Sequence, residues 1–283
     1  MEDHRSGTTK NIGIAFFLNL SFTIIEFIGG ILTGSIAIIS DAIHDLGDSL
    51  SLGVSWFLQR ISDKKPNERF TFGYKRFSVL GALLNAIVLI GGSIYVLFEA
   101  GKRLFNPVAP NSVGMMVLAV IGIAVNGYAG YRMHKGSEGL NASVLSWHLI
   151  EDVLGWLAVF IVGVILQFKS IPILDPILSI AISLFILFNV IRKLKKTLLV
   201  LLDAVPEEID LTKLKTTILK IEGVHEIRNL HIWSLDGEEH VAMIKLETNI
   251  EWDDSKKELK ELMEENNIKN FTIEIINDQK EFS

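Results

Sequence analysis

Six apolar runs of about twenty residues each, at 12–33, 36–58, 78–100, 112–132, 144–167 and 172–192, constrain this chain more than anything else in it. A helix rises about 1.5 Å per residue, so each run is long enough to cross the ~30 Å hydrocarbon layer of a bilayer. Lipid offers no hydrogen bonds, and a helix satisfies its own backbone within the run. With 49% hydrophobic residues in 283, the chain is expected to be an integral membrane protein with a six-span α-helical domain. Thr33-Gly34-Ser35 joins the first two runs and residues 167–172 join the last two, so each pair is expected to form a tight helical hairpin.

The second run is interrupted by charge. Ser40-Asp41-Ala42-Ile43-His44-Asp45-Leu46-Gly47-Asp48 places four ionisable side chains at membrane depth, where each costs ~2.5–3.5 kcal/mol to insert and normally lines a bundle interior or a water-filled cavity. His44 and Asp48 are one helical turn apart on one face. The fifth run repeats the spacing in His148 and Asp152. Two facing helices of this kind offer two imidazoles and two carboxylates, a set that suits four-coordinate zinc. Asp41 and Asp45 form a second pair on a neighbouring face, to be weighed as alternative ligands or as residues behind the site. Asn19 and Glu26 in the first run also need polar partners, either as interhelical hydrogen bonds or as lining of an ion path.

Charge divides the chain in two. Through Leu202 there are 17 Lys and Arg against 13 Asp and Glu; from Asp203 onward there are 10 against 20. The acidic second part argues against a nucleic-acid partner, which would call for basic patches. Cysteine is absent, which removes disulfides, thiolate metal sites and thiol nucleophiles. Met1-Glu2-Asp3-His4-Arg5 opens a polar tail with no cleavable signal pattern. Basic residues concentrate in 59–77 (Arg60, Lys64, Lys65, Arg69, Lys75, Arg76), at Arg132 and Lys135, and after the sixth run at Arg192, Lys193, Lys195 and Lys196. The opposite loops hold only Lys102, Arg103 and Lys169, so both termini are expected in the cytoplasm.

Three segments follow from this: a cytoplasmic tail at 1–11, a six-span domain at 12–200 and a cytoplasmic α+β domain at 201–283. Pro206 stops any helix continued from the sixth run. Helical spacing over 210–221, alternation in 227–233 and 241–246 about an Asp236-Gly237 turn, a charged amphipathic helix at 253–266 and a strand at 270–276 give the order αββαβ. Helices on one face of a sheet, as in ferredoxin-like folds, fit that order.

Glu26-Phe27-Ile28-Gly29-Gly30, Ser40-Asp41-Ala42-Ile43-His44 with Asp48, Phe72-Gly73-Tyr74-Lys75-Arg76, His148 with Asp152, and His231-Ile232-Trp233-Ser234 together resemble the cation diffusion facilitator family over nearly the whole chain. The resemblance implies a Y-shaped homodimer that exports zinc or related cations from the cytoplasm in exchange for protons, from the plasma or inner membrane. It implies a transport site of His44, Asp48, His148 and Asp152, with Asp41 and Asp45 behind it. It also implies a charge interlock between Arg76 and Asp203 and, on the C-terminal domain, regulatory zinc contacts involving His225, His231 or His240. The donor set favours Zn²⁺ and Cd²⁺, with Co²⁺, Fe²⁺ and Mn²⁺ as further candidate cargo, protons as counter-ion and no catalytic cofactor. The chain departs from the family in a short 131–136 connection with one histidine, Ser78 where relatives carry Glu, and Asn270 where relatives often carry His. A membrane metallohydrolase and a metal sensor are the rival classes; no His-Glu-x-x-His signature supports the first.

Overall fold

The structure is a computed structural model. It describes the backbone of residues 2–62, 66–136, 140–248 and 253–276, and side chains within these except at 2–15, 55–56, 58–62, 130, 132–136, 140–149 and 253–255. Eight helices and three strands are seen among the described residues: α1 (Glu2–Thr33), α2 (Ile36–Ser62), α3 (Arg76–Phe105), α4 (Ser112–Gly136), α5 (Leu140–Phe168), α6 (Leu174–Leu201), α7 (Leu211–Ile218), β1 (Val224–Ser234), β2 (His240–Thr248), α8 (Asp253–Glu265) and β3 (Ile268–Ile276). They form two compact units, one of residues 1–60 with 84–192 and one of 61–83 with 193–283.

Each of the six apolar runs is a helix. Five helices among the described residues are long and apolar enough to span a bilayer: Phe16–Thr33, Arg76–Phe105, Ser112–Ala129, Ile150–Phe168 and Leu174–Leu201. Helix α2 is long enough but carries Asp41, His44, Asp45 and Asp48, which lower its hydropathy. Helix α1 begins at Glu2, ahead of its apolar run, so the polar tail continues the helix. Helix α6 likewise runs past Arg192 to Leu201 through Lys-rich sequence with good helix propensity.

In the first unit the outer surface is apolar, with Leu18, Leu32, Phe98 and Phe168 among its exposed side chains. Polar groups and small residues lie inside. Ala37 and Ile38 of α2, Met115 and Ala119 of α4, and Trp156 and Val159 of α5 form one buried cluster. Because lipid removes most of the hydrophobic drive between helices, close packing matters more here than in water. Gly122 of α4 lets the Trp156 ring lie where a Cβ would stand 2.3 Å from it, and Gly92 of α3 does the same for Ile43. The α1–α2 hairpin closes through Gly34 at φ 70°, a left-handed conformation that glycine adopts without strain.

In the second unit the observed order is αββαβ, with β2 central, antiparallel to β1 and parallel to β3. Ala242, Ile244 and Leu246 of β2 face a core built with Leu214 and Ile218 of α7 and Leu259 and Met263 of α8, so both helices cover one face. Asp210 caps α7 by accepting from the Thr212 and Lys213 N–H groups, each at 3.0 Å. The β1–β2 turn has Gly237 at φ 98°, and Asp236 Oδ1 accepts from the Glu238 and Glu239 N–H groups.

Gly122→Ala should lower the melting temperature of the solubilised protein by several degrees, because its Cβ meets the indole of Trp156. Gly91→Ala, where nothing lies within 4 Å, should leave it unchanged. Equal melting temperatures for all three proteins, followed by tryptophan fluorescence, would contradict this packing.

Candidate metal site

Helix α2 brings its ionisable residues onto two faces with different surroundings. Asp41 and Asp45 are buried at 6% and 5% exposure. On the neighbouring face His44 Nε2 lies 3.8 Å from Asp48 Oδ2 and 4.0 Å from Asp152 Oδ1 of α5. Among the expected ligands, His44 thus lies near one carboxylate of its own helix and one of α5. The fourth, His148, lies on α5 one turn before Asp152, and its side chain is outside the described residues.

Zinc–ligand bonds of about 2.0–2.2 Å place neighbouring ligand atoms of a tetrahedral site ~3.4 Å apart. The observed separations exceed that by roughly half an ångström, and among the described residues no three His, Asp or Glu side chains stand close enough to hold an ion. His44 and Asp48 keep about a quarter of their side-chain surface exposed, so the face is accessible. A cavity of about 330 Å³ adjoins it, lined by Asp41, His44, Glu151 and Asp152 and walled by Ile182 and Phe185 of α6.

The first helix supports the other face. Asn19 Nδ2 donates to the Asp45 carbonyl at 3.3 Å and to Ser49 Oγ at 3.0 Å, the interhelical role expected for it. Glu26, 1% exposed, lies in the electrostatic field of Asp45, Asp41 and Asp152. Two polar residues of this region carry no reading from sequence, Ser183 and Asp175, and Ser40 is named only as part of the α2 motif. Ser40 and Ser183 share a hydrogen bond of 2.9 Å between α2 and α6, and Asp175 is fully buried against the start of α2. An isolated serine and an Asp before a proline give no spacing signal.

The remaining candidates lie in the second unit. Arg76 Nη2 donates to Asp203 Oδ1 at 2.5 Å, so the two residues expected to interlock do meet within one chain. His231 pairs with Met243 and is exposed, whereas His240 pairs with Ser234, is 1% exposed and has Nε2 2.9 Å from Glu208 Oε1. The pairing runs unbroken from Asn229 to Ser234, so His231 and His240 face opposite sides of the sheet and do not form one cluster. His225 is exposed on β1.

Residues 12–202 match the family model of the cation efflux transmembrane domain. A protein of Bacillus velezensis named as a cadmium, cobalt and zinc/H(+)-K(+) antiporter is 35% identical over 237 residues, 82% of this chain and 76% of the relative. The metal cation efflux system protein CzcD of Cupriavidus metallidurans is 36% identical over 234 residues, 82% of this chain and 74% of its own. The zinc transporter ZitB of Escherichia coli K12 is 33% identical over 236 residues, 82% and 75% respectively. With two thirds of its length matched by that model, and with these relatives at least 33% identical over 82% of it, the chain belongs to the cation efflux family, the cation diffusion facilitators.

Proposed function

We propose that this protein exports divalent metal cations, zinc foremost, from the cytoplasm across the cell membrane in exchange for protons. The observation that carries this reading is that His44 lies within 4.0 Å of both Asp48 and, on α5, Asp152 inside a bundle of apolar helices. His148, by its place on α5, completes a four-ligand set of two nitrogens and two carboxylate oxygens. Helix α2 counts as the sixth span, its polar face turned to the site and its apolar face to the bundle. Both termini are cytoplasmic, with the transport domain at 12–200 and a ferredoxin-like domain at 201–283.

Cargo preference follows from the donors. Nitrogen and carboxylate ligands in a four-coordinate site suit Zn²⁺ and its mimic Cd²⁺, with Co²⁺ and Fe²⁺ next, while Mn²⁺ is poorer cargo because it favours more oxygen ligands. Names of the relatives include zinc, cadmium and cobalt, and one includes protons and potassium as counter-ions. Asp45, held on the buried face, acts behind the site, and Asp41, which also lines the cavity beside His44 and Asp152, lies on the ion's path. The cycle binds zinc from the cytoplasm, displaces protons from the imidazoles, rocks the spans and releases zinc outward, where protons compete for the same nitrogens. No bond is made or broken in the cargo, so the protein is a carrier, not an enzyme, and needs no catalytic cofactor.

The functional form is a homodimer, with the Arg76–Asp203 pair bracing the cytoplasmic ends of α3 and α6 at its interface. Zinc also acts as a regulatory ligand of the C-terminal domain, at His240 with Glu208 or at His231 on the opposite face.

Two experiments in proteoliposomes test the reading. Wild type should accumulate ⁶⁵Zn in vesicles with an acidic lumen, as protons leave in exchange, and His44→Ala, Asp48→Ala or Asp152→Ala should each weaken zinc binding by at least the ~10–100-fold typical of residues that merely support a ligand. Wild-type flux in all three variants would move the site elsewhere. Free imidazole titrates near pH ~6.5, so zinc affinity should fall steadily as pH is lowered from about 7.5 to 5.5. An affinity unchanged across that range in calorimetry would rule out proton exchange at these ligands.

A further inference from the structure

The first turn of α2 is capped by another helix. A helix N-terminus leaves its leading N–H groups without intrahelical partners. Ser35, preceding the helix, accepts the Ile38 N–H on its hydroxyl at 3.3 Å. Asp175, at the start of α6, accepts the Ile36 N–H on Oδ2 at 2.8 Å and the Ala37 N–H on Oδ1 at 3.4 Å. The Ser35 hydroxyl donates to the same Oδ1 at 2.5 Å. Ile39 N–H then starts the helix's own ladder on the Ser35 carbonyl at 3.4 Å. Every leading donor of α2 is thus used, most of them by one carboxylate 140 residues away in sequence.

Asp175, Ser35 and Ala37 have no exposed surface. A carboxylate buried this deeply is tolerated only because several N–H and O–H groups and the positive end of the helix dipole meet it. Arg103 Nη1 donates to the Gly34 carbonyl at 2.5 Å, bringing a guanidinium to the same end of the bundle. One turn further along, the Ser40–Ser183 hydrogen bond is a second tie between the same two helices.

We propose that Asp175 is a positioning residue for the metal site: by pinning the first turn of α2 to α6, it sets where His44 and Asp48 stand relative to Asp152. This rests on the ligand assignment of the preceding section. His44 lies eight residues beyond Ile36, about 12 Å along a stiff helix, so any slide or rotation of the pinned turn is carried to both α2 ligands together. Their separations from each other and from α5 already exceed a closed tetrahedral site by roughly half an ångström, so little further displacement is tolerable. Asp175 itself does not line the site cavity. Its action is on the helix that carries the ligands.

The test measures zinc binding and ⁶⁵Zn flux with the full chain in proteoliposomes. Asp175→Asn keeps the size but leaves one acceptor oxygen for two sets of donors, so an amide NH₂ faces either the Ile36 N–H or the Ala37 N–H and Ser35 hydroxyl, and it should raise the zinc Kd and the KM for flux by about tenfold or more while flux at saturating zinc stays within about twofold. Ser35→Ala removes one donor and should raise the Kd by a smaller factor. The chain lacks cysteine, so Ser40→Cys with Ser183→Cys gives a single disulfide where the hydroxyls are 2.9 Å apart. Added to Asp175→Asn, oxidation of that pair should return the Kd to within about threefold of wild type, and reduction should undo the rescue. A folded Asp175→Asn protein that binds zinc as wild type does would overturn the proposal. If that variant does not fold, a wild-type Kd in Ser35→Ala overturns it. A disulfide that forms without restoring affinity also overturns it, because the loss is then not positional. Zinc binding that depends on Asp175 in a protein that moves no zinc supports the positioning role while refuting transport.

Discussion

A polar side chain inside a bundle surrounded by apolar surface must find its partner on another helix or on its own backbone. Some of the hydroxyls take the second course: Thr23, Thr33 and Ser179 each donate to the carbonyl four residues earlier. Several other polar side chains meet on α2. Asn19 reaches it from α1, Asn85 bonds Ser51 from α3, Asp152 faces His44 from α5, and Asp175 and Ser183 hold it from α6. The least apolar of the six long helices is therefore the one that most others are bonded to. Polar contacts that would be exchangeable with water on a soluble protein are here the means by which one helix is located among its neighbours.

Hydropathy located all six long helices because each is apolar over a length that only a helix makes stable in lipid. It misjudged their polar ends, at Glu2 in α1 and Leu201 in α6, since hydropathy reports contact with lipid and not helicity itself. At the site, His44 and Asp48 were legible from their spacing along one helix face, and Asp152 from the repeat of that spacing. Asp175 was not, because what identifies it is two backbone N–H groups and a hydroxyl on a helix far away in sequence. In the C-terminal part, alternation and Asp236-Gly237 disclosed the αββαβ order. The parallel pairing of β2 with β3 depends on long-range contacts that alternation does not encode. The separation of His231 from His240 across the sheet needed the register for the same reason.

Two adjacent basic residues illustrate how little an exposed charge says without geometry. Lys75 forms an ion pair with Glu239 at the β1–β2 turn, and Arg76 pairs with Asp203 beyond α6. Exposed pairs of this kind contribute roughly 0–1 kcal/mol each. What they supply is connection: the segment before α3, the residues after α6 and the strand turn are linked within one unit. Beside them Phe70, Tyr74 and Phe77 pack ring against ring, and Asn67 donates to the Tyr74 hydroxyl at 2.9 Å, so the segment that presents both charges is itself ordered.

On the six-span reading, the composition of α2 bears on how the chain is made. Three carboxylates at ~3 kcal/mol each outweigh much of what its isoleucines and leucines gain on entering lipid, so α2 alone partitions poorly. Its partner is already attached: Gly34 folds it back on α1, whose Asn19, Thr23 and Glu26 lie on the side that meets it. Entry as a preformed hairpin shields the charged face from the acyl chains before the later spans have been synthesised. The two-residue turn is then a requirement of biogenesis as well as of the folded bundle, and lengthening it would be felt first by the insertion machinery.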